Sequence, residues 1–142
     1  SLVEQALRSR RFGPYSLQAA IAAVHAEALR PEDTDWEQIV GLYDVLLRAA
    51  PSPVIALNRA VAVAMRDGPR AGLALIDGLL ADDGLDGYYL AQAARADLCR
   101  RCGRFEEARA AYRAALALCQ QGAQRAFLEK RLAALDVESR AP

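Results

Sequence analysis

Gly72-Leu73-Ala74-Leu75-Ile76-Asp77-Gly78-Leu79-Leu80 is the stretch that decides the fold, because its pattern is written twice more along the chain. Ile39 to Leu47 precedes it and Ala108 to Leu116 follows it. Ile39, Gly72 and Ala108 form one column, and Tyr43, Ile76 and Tyr112 a second. Leu46, Leu79 and Ala115 form a third, and Leu47, Leu80 and Leu116 a fourth. The steps are 33 and then 36 residues in every column. Within each copy the first two columns are four residues apart, so they share one helix face, one turn apart. In the second and third copies the small residue, Gly72 or Ala108, lets a partner helix come close, and the residue four later, Ile76 or Tyr112, fills the space beside it.

A period of about 34 residues with this spacing is the mark of a tetratricopeptide helix pair. One pair cannot bury its apolar face alone, so pairs must stack. The spacing therefore predicts an all-α, tetratricopeptide-like, right-handed solenoid of helical hairpins, with about eight helices and a C-terminal capping helix.

Working outward, Leu2 to Arg11 reads as a leading helix closed by Gly13-Pro14, a strong breaker. Ser16 could cap a second helix, Leu17 to Leu29, which is apolar on most sides and so surrounded by other helices. Thr34 with Glu37 reads as a capping box. Ser52-Pro53 repeats the start grammar of a cap followed by proline in the first turn. Gly68 reads as the left-handed C′ residue of the helix from Pro53, and Pro69 opens the next. The polar run Asp82-Asp83-Gly84-Leu85-Asp86-Gly87 accounts for the longer second step. Helices follow from Tyr88 to Arg101, from Phe105 to Cys119 and from about Ala123 to Val137. The last is expected to bury Phe127, Leu128, Leu132 and Leu135, and to expose Glu129, Lys130 and Arg131. The reading is one domain over 1–142: a leading helix at 1–12, pairs at 16–51, 53–81 and 88–120, and a cap at 122–137. Ser1 stands where a starting methionine would, so the chain reads as a piece of a longer protein.

Composition narrows the function. With 142 residues, 54% hydrophobic and 25% charged, the chain can fill a continuous core. Eighteen basic residues balance eighteen acidic ones. A neutral chain has no field to draw in nucleic acid or an anionic membrane. All the basic residues but Lys130 are arginine, which with the abundant alanine fits a GC-rich coding sequence. No apolar run nears the ~20 residues a bilayer span needs, so a cytoplasmic protein is expected.

Chemistry is sparse. Cys99-x2-Cys102 lacks the second ligand pair that structural zinc requires. Cys99 falls at a core position equivalent to Val63, where a small buried hydrophobe suffices. His25 has no serine or cysteine at motif spacing, and the 82–86 aspartates lack the ligand count of a calcium loop. No phosphate-cradling loop or nucleophile elbow is present. The expectation is a binding module with no enzymatic activity, no metal and no cofactor.

The candidate surface is the groove formed by the first helix of each pair. Leu17, Ala20, Ile21 and Val24 come from the first pair. Val54, Leu57, Asn58, Val61 and Met65 come from the second, and Leu90, Ala93, Ala94, Asp97, Arg100 and Arg101 from the third. Most of these are apolar, so the expected occupant is a helix, either the chain's own Leu2–Arg11 or one from a partner. Asn58 is the polar exception, placed to bond an inserted backbone or to satisfy a neighbouring loop.

Longer phrases carry a resemblance. They are Gly13-Pro14-Tyr15, Leu17-Gln18-Ala19-Ala20-Ile21-Ala22-Ala23-Val24-His25, Thr34-Asp35-Trp36, Ile39 with Leu42-Tyr43-Asp44, Pro51-Ser52-Pro53-Val54, Leu57-Asn58-Arg59-Ala60-Val61-Ala62 and Gly103-Arg104. Together they resemble the tetratricopeptide-like C-terminal extension of a subgroup of extracytoplasmic-function RNA polymerase sigma factors, over essentially the whole chain. The Cys99 and Cys102 pair departs from the pattern, where leucines are more usual. The resemblance implies a regulatory domain that modulates transcription initiation through contacts with the sigma core domains, and through them RNA polymerase, or with another protein. It implies no direct contact with nucleic acid or membrane. A freestanding adaptor or self-association module that binds a helical peptide is the alternative.

Overall fold

The structure is a computed structural model and describes residues 21–24, 33–120 and 122–140. The expected leading helix and most of the expected helix at 17–29 lie outside the described residues. Among those described, residues 21–24 are helical and six α-helices follow. They are α1 (Trp36–Ala49), α2 (Pro53–Asp67), α3 (Pro69–Ala81), α4 (Tyr89–Arg101), α5 (Phe105–Leu118) and α6 (Gly122–Glu138), with a 3₁₀ turn at Asp83–Leu85 between α3 and α4. No strand occurs among the described residues. Each helix packs on the next, and α2 also meets α4, so the architecture is the expected all-helical stack of hairpins.

The repeat columns are where the pairs close. Ile39 and Ala108 have no exposed surface, Ile76 has none, and Tyr112 keeps 2%. Gly72 is buried against α2, and a β-carbon built on it would lie 2.8 Å from the Ala60 carbonyl oxygen and against Ala64. The small residue is thus a steric requirement of the α2–α3 approach. Two apolar clusters result. One gathers Ile21, Val24, Ile39, Val40, Leu42 and Leu46 with Ala62 and Val63. The other runs from Leu57 through Leu73, Ile76, Leu98 and Cys99 to Leu128 and Leu135.

Helix ends follow local chemistry. The cap of α1 is Asp35 rather than Thr34: its carboxylate accepts the Gln38 N–H at 3.1 Å. Asp35 is itself a strong capping residue three positions before that amide, which moves the start one residue along. Ser52 is extended and precedes Pro53 as expected, but its hydroxyl makes no capping bond. Gly68, at φ 106° and ψ 161°, ends α2 and begins α3 in a single residue. Its φ is positive, but the conformation is not the left-handed helical one expected. Gly103, at φ 77°, closes α4 with the Arg104 N–H donating to the Cys99 carbonyl at 2.9 Å and the Gly103 N–H to the Arg100 carbonyl at 3.0 Å. This Schellman arrangement satisfies the last carbonyls and turns the chain sharply into α5. Carbonyls at the end of α5 are met by Arg125 of α6, which donates to the Leu116 oxygen at 2.6 Å and the Cys119 oxygen at 3.1 Å.

In α6, Leu128 and Leu135 are buried and Leu132 packs beside them, but Phe127 is 59% exposed. The expectation that Phe127 shares the buried face is therefore corrected. Residues 128, 132 and 135 follow helical spacing down one side, whereas Phe127 lies about 100° away, in line with Arg131 and Ala134. The Arg131 guanidinium covers its ring at 5.6 Å from the centroid.

Candidate protein-binding groove

Helices α2 and α4 lie side by side and run in the same direction. At their start, Gly84 of the 3₁₀ turn packs on Pro53, so the connector that launches α4 abuts the beginning of α2. At their finish, Arg101 of α4 donates from Nη1 to the Met65 sulfur of α2 at 3.5 Å.

On α2, Val54, Asn58, Val61 and Met65 are spaced by four, three and four residues and make one straight stripe. All four are exposed, with Val54 and Val61 at 36% and Met65 at 42%. On α4, Leu90, Asp97 and Arg101 repeat that spacing, and Leu90 is 43% exposed. Four of the exposed large apolar side chains thus fall on these two neighbouring helices. Asn58, the polar member of the stripe, makes no hydrogen bond with a described residue.

The remaining sequence candidates divide. Leu57 is only 3% exposed and belongs to the core. Ile21 and Val24 are 6% and 3% exposed and pack with Ile39 and Leu46. These three are corrected from groove lining to core. The reason is angular: an inner helix is touched by neighbours on two sides, so only a narrow stripe stays open, and Leu57 sits about 60° off it. Ala93 and Ala94 are half-buried against the same core. Leu17 lies outside the described residues.

Polar groups gather at the finishing end of the groove. Asp97 accepts from Arg100 at 2.7 Å and from Arg101 at 3.0 Å. Arg100 also faces Glu138 of α6 at 3.6 Å. Beyond Arg101, a depression of about 340 Å³ is lined by Asp67, Gly68, Pro69, Arg70, Arg101 and Cys102. Asp67 there is already held by Arg66 in a two-point pair at 2.8 and 2.9 Å. Arg70 has no ion pair with a described residue. Sequence reasoning missed Arg70, because it belongs to α3, an outer helix, and reaches the groove only through the short Gly68 turn.

Cys99 has no exposed surface, and burial pushes its thiol above the ordinary range. The three cysteines are free thiols. Among the described residues no group of three His, Cys, Asp or Glu side chains could hold a metal ion. Among them, too, no helix is long and apolar enough to cross a membrane.

No protein-family model matches the chain, and no solved structure does. An uncharacterized protein of Rhizobium meliloti (strain 1021) is 46% identical over 138 residues, a match that takes in 97% of this chain and 32% of that protein. The chain therefore spans about a third of the length of the curated relative it matches.

Proposed function

We propose that this domain is a protein-interaction module, the regulatory extension of an extracytoplasmic-function sigma factor. Its α2/α4 groove takes up a helix from the sigma core domains or from another protein. The observation that carries the reading is the stripe of Val54, Val61, Met65 and Leu90, apolar side chains left open on adjacent parallel helices. Helix-in-groove recognition uses such a stripe, with anchors spaced three and four residues apart. The phrases shared with the sigma-factor extensions support the transcriptional assignment. So does the relative's length, since there the matching region is joined to a longer chain. On this reading the domain works in the cytoplasm, reaches RNA polymerase through the sigma core, touches neither nucleic acid nor membrane, and performs no chemistry.

The test is titration of the domain into the two helical core domains of an extracytoplasmic-function sigma factor. The expected result is binding that persists at high salt, weakened only modestly, and is lost on Val61→Asp. Absence of binding by the wild type would remove the sigma-factor assignment.

The alternative of a self-associating module draws on a different surface. Phe127 and Val137 of α6 are 59% and 74% exposed, and Phe127 borders a depression of about 320 Å³ with Lys130, Arg131 and Ala134. A sedimentation experiment in which the wild type is dimeric and Phe127→Ser monomeric would favour it.

A further inference from the structure

Charge is distributed unevenly along the groove. The starting ends of α2 and α4 meet the connector that carries Asp82, Asp83 and Asp86. Asp82 and Asp86 are exposed, and neither has an ion pair with a described residue. Among the described residues, Arg48 in the last turn of α1 is a cation near that end, against the exposed carboxylates of Asp82 and Asp86. The finishing ends carry Arg70, unpaired among the described residues, and Arg101, which shares Asp97 with Arg100, around the 340 Å³ depression, with Asp67 already neutralised by Arg66. Between the two ends the exposed stripe is apolar, except for Asn58 and the paired Asp97.

Part of this polarity has a local cause. Aspartates near the start of α4 and arginines near its end complement its dipole. Arg70 does not fit that account. It sits in the first turn of α3, where a cation opposes the dipole, and that turn holds no acidic residue. It is exposed, unpaired among the described residues, and beside Arg101 at the mouth of the depression. Among the described residues no carboxylate pairs with it, so its guanidinium is open to an anionic group.

From this complementarity we infer that the groove selects a partner helix that is itself polarised. Its apolar face lies on Val54, Val61, Met65 and Leu90, an acidic side chain at one end meets Arg70 and Arg101, and a basic side chain at the other meets Asp82 and Asp86. The inference rests on the groove reading above and adds the partner's charge pattern to it.

Three synthetic helical peptides of about 18 residues, long enough for the stripe plus a turn at either end, test it by fluorescence anisotropy. They share one leucine face and differ in charge: acid at one end and base at the other, acid at both ends, or base at both ends. The wild type should bind the mixed peptide about threefold to tenfold more tightly than either uniform one. Arg70→Glu should shift the preference to the doubly basic peptide, and Asp86→Lys to the doubly acidic one. Both are exposed positions, so the fold should survive. Val61→Asp should abolish binding of all three. Equal affinity of the three peptides for the wild type, with Val61→Asp still abolishing it, would overturn the charge pattern and leave the groove standing. Binding indifferent to Val61→Asp, or none either with or without residues 1–12, would overturn both. Binding that emerges only when residues 1–12 are removed would assign the groove to the chain's own leading segment and overturn the choice of a separate partner.

Discussion

Gly72 on α3 is pressed against Ala60 on α2, close enough that a β-carbon would fall 2.8 Å from the Ala60 carbonyl oxygen. In open helix, Gly→Ala gains roughly 1 kcal/mol from propensity. Here the clash is with backbone and with the Ala64 methyl, so Gly72→Ala should instead lose on the order of 1–3 kcal/mol. Gly78, later in the same helix, would place its β-carbon in open space. Gly78→Ala should therefore stabilise by about 0.4–1 kcal/mol. Urea unfolding of the two variants should give opposite signs. Ala108→Phe, at a site with no exposed surface, should behave like Gly72→Ala, and a wild-type melting curve for it would break the repeat register.

Leu57 and Val61 lie four residues apart on α2, yet one is core and the other groove. Leu57→Ala should cost about 2–5 kcal/mol by leaving a cavity. Val61→Asp, on the exposed stripe, should change stability by no more than roughly 0.5 kcal/mol. Thermal unfolding of both variants checks the boundary. A large loss for Val61→Asp would mean that the stripe is covered.

Arg95 ties three helices together. From α4 it donates to Asp77 of α3 at 2.7 Å and faces Glu107 of α5 at 3.2 Å, with its side chain 22% exposed. Because both carboxylates are exposed, Arg95→Met should cost only about 1 kcal/mol, since the methionine keeps part of the buried stem contact. The cost should shrink as salt rises from low ionic strength to about 1 M. Denaturant midpoints at the two salt concentrations measure it.

Burial raises the ionisation of Cys99, Tyr43 and Tyr112 above their ordinary values. In each case the folded state holds its proton to higher pH than the unfolded chain does. Stability from these groups is complete below the unfolded values, about 8.5 for a thiol and 10 for a phenol. It is then lost as pH climbs toward the raised values of the folded state. Unfolding free energy should accordingly fall from about pH 8.5 upward. Alkylation of the native protein should begin at the half-buried Cys102, well before the buried Cys99 and Cys119. Mass spectrometry of a time course gives the order.

The four columns that run through the segments starting at Ile39, Gly72 and Ala108 make the helix pairing legible in the sequence, because helix-to-helix contact repeats apolar or small residues at a fixed interval. The edges are less legible. Thr34 and Asp35 are both capable caps, and only the backbone course selects between them. Leu57 and Phe127 escape a correct reading because apolar spacing marks a broad sector of a helix, whereas neighbours decide which part of the sector is covered. Arg70 carries no signal at all along the chain: its approach to Arg101 depends on the Gly68 turn folding α3 back along α2.

The Gly72 contact has one more effect. It lies behind the exposed stripe proposed as the docking surface, yet it sets how closely α3 leans on α2, and α2 in turn packs beside α4. The residue at position 72 thus acts as a gauge block for the aperture in front. Swapping it should retune affinity from a distance, through geometry alone, with every contacting side chain left as it was.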